Sequence, residues 1–214
     1  MKTLVTRVAA AFRKGGFPGS AAYWDGRYRA GGTSGDGSYG RLAAFKAEII
    51  NEFVRRHNMG SLIEFGCGDG SQLSLMHYPK YVGLDVSAEA VRMCASRFAK
   101  DQSKSFFLYA GDAFYDRSRI LTADAALSLD VIYHLVEDDV FARYMSHLFG
   151  AAMKFVIIYS TNVSREECDY MRHREFTRWV ADNTPSWSLI EQVQSRFPGS
   201  GPGQSDAAFY MFAR

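Results

Sequence analysis

A short glycine-rich motif in the first half of the chain constrains its fold more than any other feature. The motif reads Leu62-Ile-Glu-Phe-Gly-Cys-Gly-Asp-Gly70, so an apolar run ends in three glycines that alternate with other residues. Glycines spaced in this way allow the backbone to turn sharply and to approach a ligand closely, with helix N–H groups directed at that ligand. The motif therefore predicts a strand, a tight loop and a nucleotide-type binding site.

Strand and helix patterns alternate from this motif onwards. Strands are predicted at Leu62–Phe65, Tyr81–Leu84, Phe106–Tyr109, Ala125–Leu129 and Phe155–Tyr159. Helices are predicted at Tyr39–His57 (capped by Ser38), Ser71–His77, Ser87–Lys100 and Glu137–Phe149. The last two predicted strands are Leu189–Phe197 and Ala207–Phe212. They flank a loop rich in Gly and Pro and should form an antiparallel hairpin. We expect an α/β fold with a mostly parallel, seven-stranded sheet and helices on both faces.

The segment before the first strand is rich in glycine and aromatic residues. Residues 15–40 contain nine of the nineteen glycines, interleaved with Tyr23, Trp24, Tyr28 and Tyr39. We interpret it as an irregular arm that folds over a ligand, with freedom from glycine and anchoring from the rings. Residues 1–60 would then form a lid, and residues 61–214 would form the binding core.

Two acidic residues follow the next strands. Asp85 ends the second strand, where a carboxylate can accept hydrogen bonds from both hydroxyls of a ribose. Asp112 follows the third strand at the same edge of the sheet, although it could instead cap the next helix. A dinucleotide fingerprint would need glycine at position 71, where this chain has Ser71, and this argues against a nicotinamide oxidoreductase.

Together, Glu64-x-Gly-x-Gly-x-Gly70, Asp85 and Gly111-Asp112 resemble the S-adenosylmethionine-binding core of the class I methyltransferases, over roughly residues 61–160. Four further motifs are similar to those of a small bacterial methyltransferase group attached to glycan or other small-molecule pathways: Tyr23-Trp-Asp-Gly-Arg-Tyr28, Gly37-Ser-Tyr-Gly-Arg-Leu42, Ser128-Leu-Asp-Val-Ile-Tyr-His134 and Arg172-His-Arg174. The resemblance implies a Rossmann-like class I methyltransferase fold. It also implies S-adenosylmethionine as methyl donor and S-adenosylhomocysteine as product.

The resemblance also implies which residues bind the donor. The methionyl part is expected at Gly66 and Gly68, and the ribose at Asp85, with Glu64, Cys67 and Val86 as further donor-binding residues. The adenine is expected at Asp112 and Ala113, and the sulfonium near Asp130. From the arm, we expect contacts at Tyr28, Tyr39 and Arg41. Cys67 is interpreted as a small filler between glycines rather than as a nucleophile.

His134 is the candidate catalytic residue. Methyl transfer from a sulfonium depends mainly on in-line positioning and on exclusion of water. An oxygen or amine acceptor must also lose a proton, and an imidazole four residues beyond Asp130 is well placed to accept it. The alternative is a histidine that only packs beneath the arm.

A cluster of basic residues lies beyond the fifth strand. Met171-Arg-His-Arg174 predicts a site for an anionic acceptor, with His173 and Arg174 facing the substrate. A solvated helix face would explain the same pattern. The acidic run Glu137-Asp-Asp139 fits the first turn of a helix better than a metal cluster, and no metal is expected.

Composition restricts the partners. The chain of 214 residues has 25 Lys and Arg against 23 Asp and Glu, a net charge of +2, which suggests no nucleic-acid partner. No apolar run approaches the roughly 20 residues that cross a bilayer, and Met1–Lys14 does not fit a secretory signal, because basic residues interrupt it. The three cysteines form no C-x-x-C pair, which favours a reducing cytoplasm.

The sequence therefore predicts a methyltransferase that acts on a small molecule. The expected acceptor is an oxygen of a sugar or a related metabolite, and the basic cluster predicts that it is anionic. Two alternatives stay open at this point: N-methylation of a small molecule, and a catalytically silent module that binds the donor and serves a partner protein.

Overall fold

A seven-stranded sheet organises the part of the chain that the computed structural model describes, residues 16–214. The expectations for Met1–Lys14 lie outside these residues. The helices are α1 (Ser20–Arg29), α2 (Gly40–Arg56), α3 (Ala88–Arg97), α4 (Asp138–Ala151) and α5 (Phe176–Asn183). The strands are β1 (Leu62–Phe65), β2 (Tyr81–Asp85), β3 (Lys104–Leu108), β4 (Ala123–Leu129), β5 (Ala152–Ser160), β6 (Arg165–Cys168), β7 (Met171–His173), β8 (Ser188–Gln194) and β9 (Ala208–Ala213).

The order of the strands confirms the predicted fold. The large sheet runs β3-β2-β1-β4-β5-β9-β8, with β1 to β5 parallel and β9 antiparallel to both of its neighbours. β1 lies at the centre of the five parallel strands, where Glu64 is in register with Gly83 on one side and Leu127 on the other. The carboxyl ends of β1, β2 and β4 therefore meet at one edge of the sheet, which is where open α/β sheets bind their ligands.

Alternate side chains of the strands face two separate apolar cores. One core joins Phe65 and Ile158 to α4 and α5, and the other joins Leu127 and Ile157 to α2. All four residues of β1 are buried, as expected for a strand that is covered on both faces. The helices therefore cover both faces of the sheet. No helix among residues 16–214 is long and apolar enough to cross a membrane.

The prediction of a helix at Ser71–His77 is wrong, because this segment contains only a short 3₁₀ turn, Leu73–Leu75. Asn51 of α2 explains the difference. Its side chain donates to the carbonyl of Leu75 and accepts from the N–H of His77, at 3.0 and 2.8 Å. The side chain thus bonds backbone groups that a longer helix would use for its own hydrogen bonds.

The glycine-rich arm is more regular than predicted, because ten of its residues form α1. The start of this helix is stabilised by a residue that is distant in sequence. Glu137 accepts hydrogen bonds from the backbone N–H of Ser20 at 2.9 Å and from its hydroxyl at 2.5 Å. A carboxylate at a helix N-terminus satisfies free N–H groups and complements the helix dipole.

Two local predictions also need correction. Tyr39, not Ser38, is the residue that precedes the first turn of α2, and it makes no side-chain cap. Arg172 and His173 lie in β7, which pairs with β6 in a small hairpin outside the main sheet. The cluster is therefore not on a helix face, and the next helix, α5, starts at Phe176.

Candidate functional site

A pocket of about 370 Å³ opens at the carboxyl ends of the parallel strands. Its volume lies within the range of roughly 300–1,000 Å³ that is common for small-molecule sites. Ten of the residues predicted to form the site line it: Tyr28, Glu64, Gly66, Cys67, Gly68, Asp85, Val86, Asp112, Asp130 and His134. The sequence motifs are therefore brought together in one cavity.

The glycine loop is shaped so that side chains cannot replace the glycines. Gly66, Gly68 and Gly70 have φ values of 86°, 59° and 75°, a region that side chains disfavour. A Cβ at Gly66 would lie 2.5 Å from a methyl of Val131, and one at Gly68 would lie 2.3 Å from the hydroxyl of Ser34. Glycine is therefore required at these positions, and Gly66 and Gly68 present only backbone atoms to the pocket.

Asp85 links the glycine loop to the end of β2. Its carboxylate accepts hydrogen bonds from the N–H groups of Gly68 and Ser87, both at 2.9 Å. Burial raises the pKa of Asp85 to about 6, although the N–H groups of Ser87 and Gly68 oppose that shift. The carboxylate has further lone pairs, so it can still accept hydrogen bonds from a ligand in the pocket.

Glu64, at the centre of the sheet, is a second buried carboxyl in the pocket. It accepts a hydrogen bond of 2.6 Å from the hydroxyl of Tyr81. Burial raises the pKa of Glu64 to about 7, against the opposing effects of Tyr81 and Lys46. A cation that enters the pocket would therefore find an acid that can ionise close to neutral pH.

The arm lies directly on the glycine loop. The carboxylate of Asp69 accepts hydrogen bonds from the N–H of Ser34 at 3.0 Å and from the hydroxyl of Tyr39 at 2.5 Å. The N–H of Asp69 donates in return to the hydroxyl of Ser34, which also bonds Tyr28. Although burial opposes the shift, these donors hold the pKa of Asp69 below its usual range. Asp69 is thus the anchor of the arm.

Asp130 lies in the pocket in a strained backbone conformation, with φ of 59°. Its carboxylate accepts hydrogen bonds from the ammonium of Lys46 at 2.6 Å and from the hydroxyl of Tyr133 at 2.9 Å. A Cβ at Gly37 of the arm would lie 2.7 Å from the same carboxylate. Lys46, only 1% exposed, is a site residue that the sequence analysis missed. The sequence does contain one indication of this role: Lys46 follows Leu42 by four residues and so lies on the apolar side of α2.

His134 faces the pocket as a neutral imidazole. Its Nδ1 lies 3.2 Å from the backbone carbonyl of Tyr170. Because a carbonyl can only accept, Nδ1 carries the proton and Nε2 keeps its lone pair. Burial lowers the pKa of His134 to about 4, so the ring is uncharged at neutral pH. The ring of Trp24 covers it edge-on at 4.7 Å.

Five predicted site residues do not line the pocket: Tyr39, Arg41, Ala113, His173 and Arg174. Tyr39 instead anchors the arm, and the guanidinium of Arg41 donates to the carbonyl of Gly203 at 2.7 Å. His173 is buried between the hydroxyl of Thr161 at 2.5 Å and the carboxylate of Glu167 at 2.9 Å.

Arg174 holds the loop before α4. Its guanidinium donates to the carbonyls of Leu135 and Val136, at 2.6 and 2.7 Å, and to the carboxylate of Asp138 at 2.9 Å. The guanidinium of Arg174 therefore bonds groups of its own chain. Neither an anion site nor a solvated helix face, the two interpretations from the sequence, describes this arrangement. Among residues 16–214, no three His, Cys, Asp or Glu side chains are grouped to hold a metal.

A family model described as a methyltransferase domain matches residues 63–149. The chain is similar to the small RNA 2′-O-methyltransferase of Arabidopsis thaliana, with 33% identity over 108 residues, and to that of Mus musculus, with 28% over 127 residues. These alignments cover 45% and 53% of this chain but only 12% and 32% of the relatives, so the chain spans a small part of their length.

Solved structures share the fold. The methyltransferase domain of bacterial-CtHen1-C aligns with a TM-score of 0.64 and 19% identity, covering 81% of this chain and 98% of that domain. Magnesium protoporphyrin IX methyltransferase from Synechocystis PCC 6803, solved with bound S-adenosylhomocysteine, aligns with a TM-score of 0.66 and 14% identity, covering 91% and 97%.

The curated relatives correct one prediction. The exclusion of a nucleic-acid partner is wrong, because these relatives are small RNA 2′-O-methyltransferases. The exclusion was based on a net charge of +2 for the whole chain. A whole-chain charge does not describe the charge of one local surface.

The pocket suits S-adenosylmethionine on structural grounds. Gly66 and Gly68 of the glycine loop line the pocket with backbone atoms, and a buried acid ends β2. Gln72, which also lines the pocket, has a buried side-chain oxygen without a hydrogen-bond partner. The matched methyltransferase domain covers residues 63–149, and the solved methyltransferases share the fold of the chain, so this pocket lies where a methyltransferase domain would bind its donor.

Proposed function

We propose that this enzyme methylates a hydroxyl oxygen of a sugar, carried either by a small metabolite or by an RNA. The observation that carries the proposal is the neutral His134, whose Nε2 lone pair is available in the pocket. A hydroxyl must lose its proton when its oxygen is methylated, and Nε2 can accept it. Asp130 lies four residues earlier on the same pocket wall.

Two resemblances support a sugar oxygen. The curated relatives are named as enzymes that methylate the 2′-oxygen of RNA, which is a ribose hydroxyl. The arm motifs resemble those of a bacterial group attached to glycan or other small-molecule pathways. The free cysteines Cys67, Cys94 and Cys168 support a cytoplasmic location.

The donor supplies an electrophilic methyl group on its sulfonium. In this proposal the loop at Gly66 and Gly68, with Glu64 and Cys67, holds the methionyl part. Asp85 and Val86 hold the ribose, and Asp112 faces the adenine. Asp130, paired with Lys46, orders the wall beside the reacting atoms. The chain's contribution is then to position the reactants, exclude water and accept one proton.

The arm acts as a lid in this proposal. It is fastened at one end by Glu137, which bonds Ser20, and at the other by Asp69, which bonds Ser34 and Tyr39. Trp24 lies between these two anchors, against His134. Closing the arm would therefore exclude water from the reacting atoms.

The proposed acceptor can be tested with radiolabelled donor. One arm of the experiment offers a panel of free sugars, nucleosides and glycosides. The other offers an oligoribonucleotide, matched with the same sequence built from 2′-deoxyribonucleotides. Label on an oxygen of either substrate class supports the proposal, and the deoxy control locates the oxygen. Transfer only to amines would overturn it.

His134 should affect turnover but not donor affinity. We expect His134→Ala to lower turnover by roughly 10²–10⁴-fold, the usual cost of a lost general base, while calorimetry finds unchanged donor affinity. Burial lowers the pKa of His134 to about 4, so the imidazole can still accept a proton well below pH 6. Wild-type turnover at saturating donor should therefore persist at that pH. The exposed His77 provides the matched control, His77→Ala. Equal losses of binding and turnover would mark His134 as structural.

Donor binding should release a proton near neutral pH. The pKa of Glu64 is raised to about 7, and the positively charged donor favours the ionised carboxylate. Donor affinity should therefore rise as the pH increases through 7. Calorimetry at pH 7 in two buffers of different ionisation enthalpy should detect the released proton in the wild type and much less of it in Glu64→Gln. Equal proton release in the two proteins would contradict this role for Glu64.

Loss of the Asp69 carboxylate should loosen the arm. In Asp69→Asn the amide cannot accept hydrogen bonds from Ser34, Tyr39 and Ser71 at the same time. Amide hydrogen exchange in residues 20–39 should accelerate by about 5- to 150-fold, the equivalent of 1–3 kcal/mol for one disrupted site. Asp36→Asn, which removes the same charge within the arm, is the control. Unchanged exchange in Asp69→Asn would show that the arm is held elsewhere.

A further inference from the structure

The side chain of Gln72 contains a buried oxygen that lacks a hydrogen-bond partner. Gln72 is 6% exposed, and its Nε2 donates to the backbone carbonyl of Ala43 at 3.0 Å. This bond fixes the orientation of the amide, because a flipped amide would put two acceptors together. The oxygen Oε1 is left without a donor. An unsatisfied buried acceptor is costly, so its retention requires an explanation.

The position of this oxygen indicates a ligand. Among residues 16–214, four buried side-chain polar atoms lack a partner, and they belong to Gln72, Tyr78, Tyr159 and Ser160. Of these residues, only Gln72 lines the donor pocket. It follows the glycine loop directly, and it bonds Ala43, which precedes Lys46 by three residues on α2. Residues with this spacing share one face of a helix, so Gln72 lies on the Lys46 side of the pocket.

An amide oxygen needs a hydrogen-bond donor, and the charges nearby favour a cationic one. The carboxyls of Glu64 and Asp130 line the same pocket. The ammonium of Lys46 is already bonded to Asp130. S-adenosylmethionine carries one ammonium, at its methionyl end. Its adenine amino group belongs at the opposite end of the pocket, beyond Asp85.

We propose that Gln72 positions the methyl donor, with Oε1 accepting a hydrogen bond from the ammonium of the methionyl end. This inference rests on the proposed placement of that end at the glycine loop, but not on the identity of the acceptor. Because Nε2 is fixed to α2, Gln72 would also couple the donor to the helix that carries Lys46. Gln72 would thereby set how far the sulfonium extends towards Asp130 and His134.

Calorimetry with two ligands tests the proposal. S-adenosylhomocysteine has the ammonium, and 5′-methylthioadenosine has the same nucleoside without the amino-acid end. Gln72→Met keeps the side-chain length and removes the oxygen. It should weaken S-adenosylhomocysteine binding by roughly 10- to 150-fold, as expected for a lost bond to a charged group, and leave 5′-methylthioadenosine binding unchanged. The exposed Gln192 offers the same substitution as a control.

A second variant and a second ligand keep the test decisive. Gln72→Glu retains an acceptor oxygen, and its protonated carboxyl group can still donate to the carbonyl of Ala43, so at pH values that keep it protonated it should keep the preference for S-adenosylhomocysteine even if Gln72→Met folds poorly. An analogue of S-adenosylhomocysteine without its amino group should bind wild type and Gln72→Met equally. Equal losses for both ligands in Gln72→Met, or no loss for either, would overturn the proposal, since the oxygen would then serve only the fold or a bound water.

One outcome separates this inference from the proposal on which it rests. If the wild type binds 5′-methylthioadenosine as tightly as S-adenosylhomocysteine, the methionyl end makes no net favourable contact, and its placement at the glycine loop is wrong. If the wild type prefers S-adenosylhomocysteine and Gln72→Met keeps the full preference, the placement holds and Gln72 is not part of the subsite.

Discussion

The hydrogen bond between the N–H of Gly68 and the carboxylate of Asp85 is the contact on which the site depends. It joins the loop after β1 to the end of β2 and holds Gly68 in a left-handed conformation. With the backbone held there, Asp69 is presented to the arm, and its carboxylate bonds Ser34 and Tyr39. The geometry of the loop therefore also determines where the arm lies.

Buried carboxyl groups give the pocket its chemical character. Glu64 and Asp85 have raised pKa values because burial disfavours their charged forms. Asp130 is paired with a lysine that is almost completely buried. Placing acids in a low-dielectric cavity costs stability unless they are paired or bind a cation. A positively charged ligand would relieve that cost at Glu64, so the electrostatics of the pocket favour a donor that carries a sulfonium and an ammonium.

The sequence predicted the sheet well because local patterns determine it. The strand of Leu62–Phe65 and the capped helix after Ser87 follow from apolar runs and a short-range cap, and both are found in the structure. Features that depend on distant partners were missed. α1 starts at a residue bonded by Glu137, and Asn51 bonds the backbone of Leu75 and His77, where the 3₁₀ turn ends. No pattern of neighbouring residues contains these contacts, since the partners come together only in the folded chain.

In the candidate site, too, the residues that belong to a local pattern could be predicted and those that depend on distant partners could not. Gly66, Gly68 and Asp85 could be identified because a tight loop and an acid at a strand end leave a recognisable spacing. Lys46 and Gln72 could not be assigned to the site, because a lysine and a glutamine within apolar segments resemble ordinary surface residues until their partners are known. Arg174 was assigned to an acceptor from its charge, whereas its bonds go to the carbonyls of Leu135 and Val136. Charge alone does not show whether a guanidinium bonds a ligand or its own chain.

The bonds of Arg174 connect the basic cluster to the arm. The loop that Arg174 holds contains Glu137, and Glu137 bonds the start of α1. The hairpin that precedes Arg174 contributes Tyr170, whose ring stacks on Tyr23 at 4.9 Å and whose carbonyl fixes His134. The arm and this hairpin both lie outside residues 63–149, which match the methyltransferase domain. The matched domain thus contains the glycine loop, and segments outside it enclose His134, so acceptor selection is expected to reside in those segments.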